Sequence, residues 1–184
     1  LRYRGYDAIE LTKTHTYEDV ASLIIDDNLD GKLFKETFSD HYENLLNDKD
    51  LIKLIDNLKV EQHPMDVMRT AISYIGQADE RDKLQAASKV TAIACLVIAS
   101  YNEESSSQLD AEYTVASSLL PNTASNQQHE ALDDMLILYA EHGFNASTFA
   151  ARVTASTRSD LTSAIVSGVG TLKGELHGGA NEAA

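Results

Sequence analysis

Apolar residues recur three and four positions apart along most of the chain, and strict alternation is rare, so the pattern predicts a mostly helical, all-α protein. Tyr17, Val20, Ala21, Ile24 and Ile25 mark the first apolar face, with Thr16 and Asp19 placed as a capping box ahead of it and Asn28 behind it. A second helix opens at Asp30 and carries Leu33, Phe34, Phe38, Tyr42, Leu45 and Leu46 on one side as far as Asn47-Asp48. A shorter one follows through Leu51, Ile52, Leu54, Ile55 and Leu58. Pro64 drives His63 out of the α region and is itself favoured at a first helical position, so Met65, Met68, Ala71, Ile72 and Ile75 define a helix that stops at Gly76.

Asp79 is the expected cap of the next helix. Its middle, Ala92 to Ala99, is eight apolar residues in succession, too few to span a bilayer. A helix buried on most sides accounts for the run, with a buried strand as the alternative. Asn102 to Gln108 is polar and reads as a solvent loop. Ser125 and Gln128 form a second capping box, leading into Ala131, Leu132, Met135, Leu136, Leu138 and Tyr139 and a helix end at His142-Gly143. Two more helices are predicted, from Ala146 to Ala155 and from Ser159 or Asp160 to about Leu172, before Gly174, Gly178 and Gly179 break the pattern. The one β-like stretch is Leu1-Arg-Tyr-Arg-Gly-Tyr6, a short strand or turn whose partner is expected upstream.

Composition narrows the function. The 184 residues suffice for one well-cored domain, and with 43% hydrophobic and 24% charged residues the chain is expected to fold. Fifteen basic against 29 acidic residues give a net charge of −14 with no basic cluster, so neither nucleic acid nor a membrane surface is an expected partner. A small anion can still be held where a histidine, an arginine or a helix N-terminus opposes that field locally. Cys95, the single cysteine, lies in the apolar run, which excludes an intramolecular disulfide and a cysteine-based metal site and makes a cytoplasmic setting the expectation. The first fifteen residues lack the apolar stretch of a signal peptide and begin with Leu, as a trimmed chain would.

Two histidines stand apart. His142 lies in Tyr139-Ala-Glu-His-Gly-Phe-Asn145-Ala-Ser147 and His177 in Leu172-Lys-Gly-Glu-Leu-His177-Gly-Gly-Ala-Asn181, each beside glycine and just upstream of an asparagine. Such surroundings suit a polar pocket approached closely by backbone. At a helix C-terminus, His142 either caps the last carbonyls or holds a carboxylate or carbonyl oxygen, with the Asn145 amide and the Ser147 hydroxyl at the start of the next helix. His177 is either a structural turn residue or a donor to a developing oxyanion, with Gly178 leaving the backbone open to a ligand. Gly168-Val-Gly170 mimics a dinucleotide loop but sits inside a helical pattern, where helix packing explains it. His-Glu-x-x-His and a serine nucleophile elbow are absent, Asp26, Asp27 and Asp30 lack calcium-loop spacing, and His15, His41 and His129 read as surface residues. No metal site and no hydrolase chemistry are expected.

His142-Gly-Phe-Asn-Ala-Ser-Thr-Phe-Ala-Ala-Arg-Val and Leu172-Lys-Gly-Glu-Leu-His177-Gly-Gly-Ala-Asn-Glu resemble the two histidine motifs of citrate synthase and 2-methylcitrate synthase. Leu1-Arg-Tyr-Arg-Gly-Tyr-Asp and His63-Pro-Met-Asp-Val-Met-Arg-Thr are similar to further signatures of that family in the same order, so the likeness spans nearly the whole chain. It implies a transferase that condenses acetyl-CoA with oxaloacetate in the tricarboxylic acid cycle, or propionyl-CoA in the 2-methylcitrate branch, with no cofactor or metal. His177 would be catalytic, hydrogen-bonding the thioester carbonyl while a carboxylate removes a proton. His142 would grip oxaloacetate, with Asn145, Ser147 and Gly178 lining the pocket.

The resemblance also implies that residues 1–184 are most of the large helical domain, cut near the start of the small one. The second catalytic histidine and the aspartate would then lie beyond Ala184, and the chain alone would be inactive. A homodimer is implied, with helices over about 64 to 76, 83 to 101, 129 to 141 and 147 to 157 at its interface. Gly143 where the family usually has glutamate, Glu175 where proline is common, and the absence of proline from Ser88-Lys-Val-Thr-Ala-Ile depart from the pattern. The rival reading is a non-catalytic helical dimerisation module.

Overall fold

A computed structural model describes residues 1–76, 82–102, 113–141 and 143–182. The chain opens with a two-stranded antiparallel hairpin, β1 (Arg2–Tyr3) and β2 (Tyr6–Asp7), in the register Arg2↔Asp7 and Tyr3↔Tyr6. The expected upstream partner is replaced by one immediately downstream: Arg4 and Gly5 both take positive φ, 49° and 96°, the geometry of the two-residue turns that fit a hairpin's twist.

Short helix α1 (Ala8–Thr12) leads to α2 (Tyr17–Asp26), whose Thr16–Asp19 capping box is present as predicted. Helix α3 (Lys32–Leu46) starts slightly later than Asp30, because the Asp30 side chain accepts from the Lys32 amide at 3.1 Å and so stands outside the helix. Helix α4 (Lys49–Leu58) and helix α5 (Pro64–Ile75) follow, the latter entered through His63 in extended conformation and closed by Gly76 at φ 70°. The apolar run belongs to helix α6 (Lys83–Ala99), which excludes the strand alternative. Its cap is Asp82, whose side chain accepts from Gln85; Asp79 and residues 103–108 of the expected loop lie outside the described residues.

Helix α7 (Val115–Leu119) was not predicted; its own capping box joins Thr114 and Ser117. Helix α8 (Asn126–Tyr139) begins at Ser125 as expected but stops short of His142. The Tyr3 hydroxyl donates to the Ile137 carbonyl at 2.8 Å and the Leu138 carbonyl at 3.2 Å, supplying partners that another helical turn would otherwise have provided. Helix α9 (Ala146–Ser156) and helix α10 (Leu161–Leu172) match their predicted spans, and a short α11 (Gly178–Glu182) replaces the expected irregular end.

Helix α6 runs through the main core, where Ala92, Ile93, Cys95, Leu96 and Val97 meet Phe34, Phe38 and Tyr42 of α3 and Val67, Ala71 and Ile72 of α5. Its burial on nearly every side is the packing reason for an unbroken apolar run. A smaller core of Tyr3, Ala8, Leu11, Val20, Leu23 and Ile137 seats the hairpin against α2 and α8. Helices α9 and α10 pair closely, and α10 packs in turn on α5. Gly168 and Gly170 face that packing, where a Cβ on the first would lie 3.5 Å from the Ser147 carbonyl oxygen and on the second 3.7 Å from Arg69, ordinary contact distances. No helix among the described residues is long and apolar enough to cross a membrane.

Candidate active site

The start of α9 and the end of α10 bring three of the predicted site residues together. Asn145 is the N-cap of α9; its Oδ1 accepts from the Thr148 amide at 2.6 Å and lies 3.1 Å from the Ser147 hydroxyl oxygen. Its carbonyl oxygen is thereby spent on the helix start, so the amide group is what it can offer a ligand. Ser147 Oγ lies 2.6 Å from His177 Nε2, across thirty residues of sequence, and the Ser147 amide donates to the same nitrogen at 3.4 Å. The Ser147 amide can only donate, so it fits the tautomer with the ring proton on Nδ1; in that tautomer the single Ser147 hydroxyl proton goes to Nε2. Among the described residues, both hydrogen bonds to the ring come from Ser147.

The half-buried His177 sits in a tight turn rather than on a helix. Its amide donates to the Gly174 carbonyl at 2.8 Å, and the Gly179 amide returns to the same carbonyl at 3.2 Å. Gly178 is required there by space alone: a Cβ would fall 2.4 Å from the Leu172 carbonyl oxygen. His142 lies outside the described residues, so its predicted grip on a substrate has no geometry here. Beside it Gly143 takes φ 84°, and its amide donates to the Glu141 carboxylate, a left-handed turn that a glutamate would adopt only with strain. That conformation is the physical counterpart of the departure from the family pattern at this position.

On the outer side of the α9 N-terminus, a hollow of about 320 Å³ is lined by Gly143, Phe144, Asn145, Thr148, Phe149 and Arg152. It offers aromatic surface and a guanidinium. His15, His41 and His129, read as surface residues, are all half-buried. His41 Nε2 pairs with Gln85 Oε1 at 3.0 Å, and burial draws its pKa down.

The sequence reading gave no role to Asp66 or Lys173, although both lie inside quoted motifs. Asp66, in the first turn of α5, meets Lys173 Nζ at 2.5 Å through one oxygen and the Arg69 guanidinium at 3.0 Å through the other. The hydrogen bond from Lys173 is the main reason its carboxyl titrates below the usual range, with the charges of Lys173, Arg69 and His63 adding to it.

Residues 1–184 match the family model described as "Citrate synthase, C-terminal domain". The 2-methylcitrate synthase 2 of Corynebacterium glutamicum is 37% identical across 99% of this chain and 53% of its own length. The citrate/2-methylcitrate synthase of Bacillus subtilis is 37% identical across 98% of this chain and 53% of its own length. The chain thus spans about half the length of the curated relatives it matches. A citrate synthase of Thermoplasma acidophilum, solved in a ternary complex with carboxymethyl coenzyme A and oxaloacetate, superposes over 100% of this chain and 52% of its own with a TM-score of 0.84, and at 24% identity supports the shared fold.

Proposed function

This chain belongs to the citrate synthase family, and from that premise we propose that it supplies part of the active site of an enzyme condensing an acyl-CoA thioester with oxaloacetate. The observation that carries the reading is the His177–Ser147 pair, held at 2.6 Å in a glycine-walled turn. With Nε2 engaged by Ser147, the Nδ1 proton is the one left to donate to the thioester carbonyl. Abstraction of a proton from the adjacent carbon pushes charge onto that oxygen, and a positioned donor stabilises the enolate as it forms. His142 and Asn145 are assigned to oxaloacetate, with Gly178 leaving the backbone beside His177 accessible. The carboxylate base and the second histidine are assigned to the small domain, which in this reading residues 1–184 do not include. No metal or cofactor takes part in the proposed scheme.

The acyl group is acetyl or propionyl, and the names of the relatives favour propionyl at least as strongly, since that of Corynebacterium glutamicum is a 2-methylcitrate synthase and that of Bacillus subtilis carries both names. One methylene alters transition-state binding by only about 1 to 3 kcal/mol, so dual use is chemically natural. Thiol release from acetyl-CoA and from propionyl-CoA, each with oxaloacetate, tests the reading on the complete natural protein. Turnover with at least one thioester is expected there, and negligible turnover from residues 1–184 alone. Release with neither thioester by the complete protein leaves the non-catalytic dimerisation module standing instead. Enzyme-like turnover by residues 1–184 alone refutes the division of the site.

A homodimer is part of the same proposal. Helix α9 has no buried residue although it carries Phe149 and Val153, and Met135, Leu138 and Tyr139 of α8 are also exposed. Apolar faces of this kind mark surfaces covered by a partner.

A further inference from the structure

The turn that carries His177 has little apolar burial to hold it. Leu172 to Leu176 are all exposed, Leu176 at 99%, and the turn's local hydrogen bonds fix its internal shape but not its place on the protein. Among the described residues, side chains tie residues 173–177 to distant parts of the chain at two points: His177 to Ser147, and Lys173 to Asp66, 107 positions apart.

The second tie is built from the α5 side. Pro64 at the first helical position and the Asp66 amide bonded to the His63 carbonyl at 2.8 Å fix the backbone of the turn that carries Asp66. Arg69 lies against the α10 backbone at Gly170 and holds the other carboxylate oxygen, so the rotamer that meets Lys173 is braced. Lys173 is the C-cap residue of α10, so its side chain ties the junction of helix and turn to α5.

We infer that Asp66 is a positioning residue: through Lys173 it pins the His177 turn to α5, and so sets where the imidazole meets the thioester. The inference rests on the reaction proposed above. Ion pairs this exposed, with 38% of the Lys173 side chain accessible, stabilise a fold very little. A donor displaced by about 1 Å, in contrast, costs on the order of a hundredfold in rate. The pair's effect belongs in turnover, not in stability.

The test uses the complete natural protein with Asp66→Asn, Lys173→Met, the double variant, and the conservative Asp66→Glu and Lys173→Arg. Each charge-removing single variant is expected to lower kcat by about tenfold to a hundredfold, with KM for both substrates within about twofold. The double variant should fall no further than either single one, and the conservative variants should recover most of the loss. Thermal midpoints should stay within about 4 °C of the parent, as for any exposed pair. A kcat within about twofold of the parent in Lys173→Met overturns the inference, as does a loss that only follows a falling midpoint. Should Asp66→Asn fail to fold, the exposed Lys173 variants decide alone. A second readout needs no turnover: the His177 ring signals in NMR spectra should shift and broaden in Lys173→Met. Unmoved signals sink the positioning role even if the protein is a synthase, whereas moved signals in a protein that condenses neither thioester sink the proposed reaction and leave the tether standing.

Discussion

At the scale of single residues, His177 draws its proposed chemistry from Ser147. In the proposed scheme their 2.6 Å contact and the Ser147 amide behind it engage Nε2 and leave the Nδ1 proton for the substrate. Ser147→Ala keeps the amide but removes the hydroxyl, so kcat for condensation in the complete protein is expected to fall about tenfold or more, with a smaller change in KM for oxaloacetate. Steady-state kinetics on that variant checks it, and an unchanged kcat would remove Ser147 from the proposed machinery. The histidine and its glycines were legible in the sequence because that spacing of polar and flexible residues has no helical purpose. The pairing with Ser147 was not, since thirty intervening residues had to fold into two packed helices first. Gly178 shows how the two kinds of argument meet: a residue singled out for ligand access is also compelled by the Leu172 carbonyl 2.4 Å from any Cβ it might carry.

Between elements, the joint of α2 with α8 depends on one carboxylate. Asp133 accepts from the Tyr17 amide through both oxygens, at 3.0 and 3.2 Å, and so fastens the middle of α8 to the start of α2. Burial raises its pKa to about 6, opposed by the Tyr17 hydrogen bond and reinforced by the charges of Glu18, Asp134 and Asp19. A folded-state pKa above the unfolded value means that the folded chain holds the proton more tightly. The associated stability is present at about pH 4 and is lost as pH rises through about 6. Asp133→Asn keeps an acceptor and cannot ionise. Its stability relative to the parent should therefore rise between pH 4 and pH 7 by on the order of 1 kcal/mol after solvent screening. Denaturant titrations of the two proteins at both pH values check the sign, and a flat difference would show that Asp133 does not titrate in that window.

The long helices could be anticipated because most repeat an apolar face over several turns and several begin at a recognisable cap. Helices α7 and α11 escaped notice because five residues are too few to establish a period. The α8 end was misjudged because a tyrosine more than 130 positions away takes its last carbonyls.

For the molecule as a whole, the uncovered apolar face is the strongest sign that one chain is not the complete assembly. Phe144, just ahead of α9, is fully exposed, and Phe149 is 71% exposed on a helix with nothing buried, whereas α6 is largely taken up by its own chain's core. The complete protein is therefore expected to run at twice its chain mass in light scattering or analytical ultracentrifugation. Phe149→Glu should shift it towards the monomer, because a charge buried in an apolar interface without a partner is costly. A parent protein that stays monomeric at micromolar concentration would remove the dimer from the proposal.

By itself the sequence determined most of the long helices, where most of them start, that the run Ala92 to Ala99 is largely buried, and which histidine lies in a glycine turn. Caps, periodicity and backbone-permissive residues act over a few positions, so their information is local. Only the tertiary structure decided that the hairpin closes on itself, that Ser147 meets His177, and that Asp66 reaches Lys173 from the first turn of α5. The last two contacts join residues thirty and 107 positions apart, and they exist only once α5, α9 and α10 have packed together.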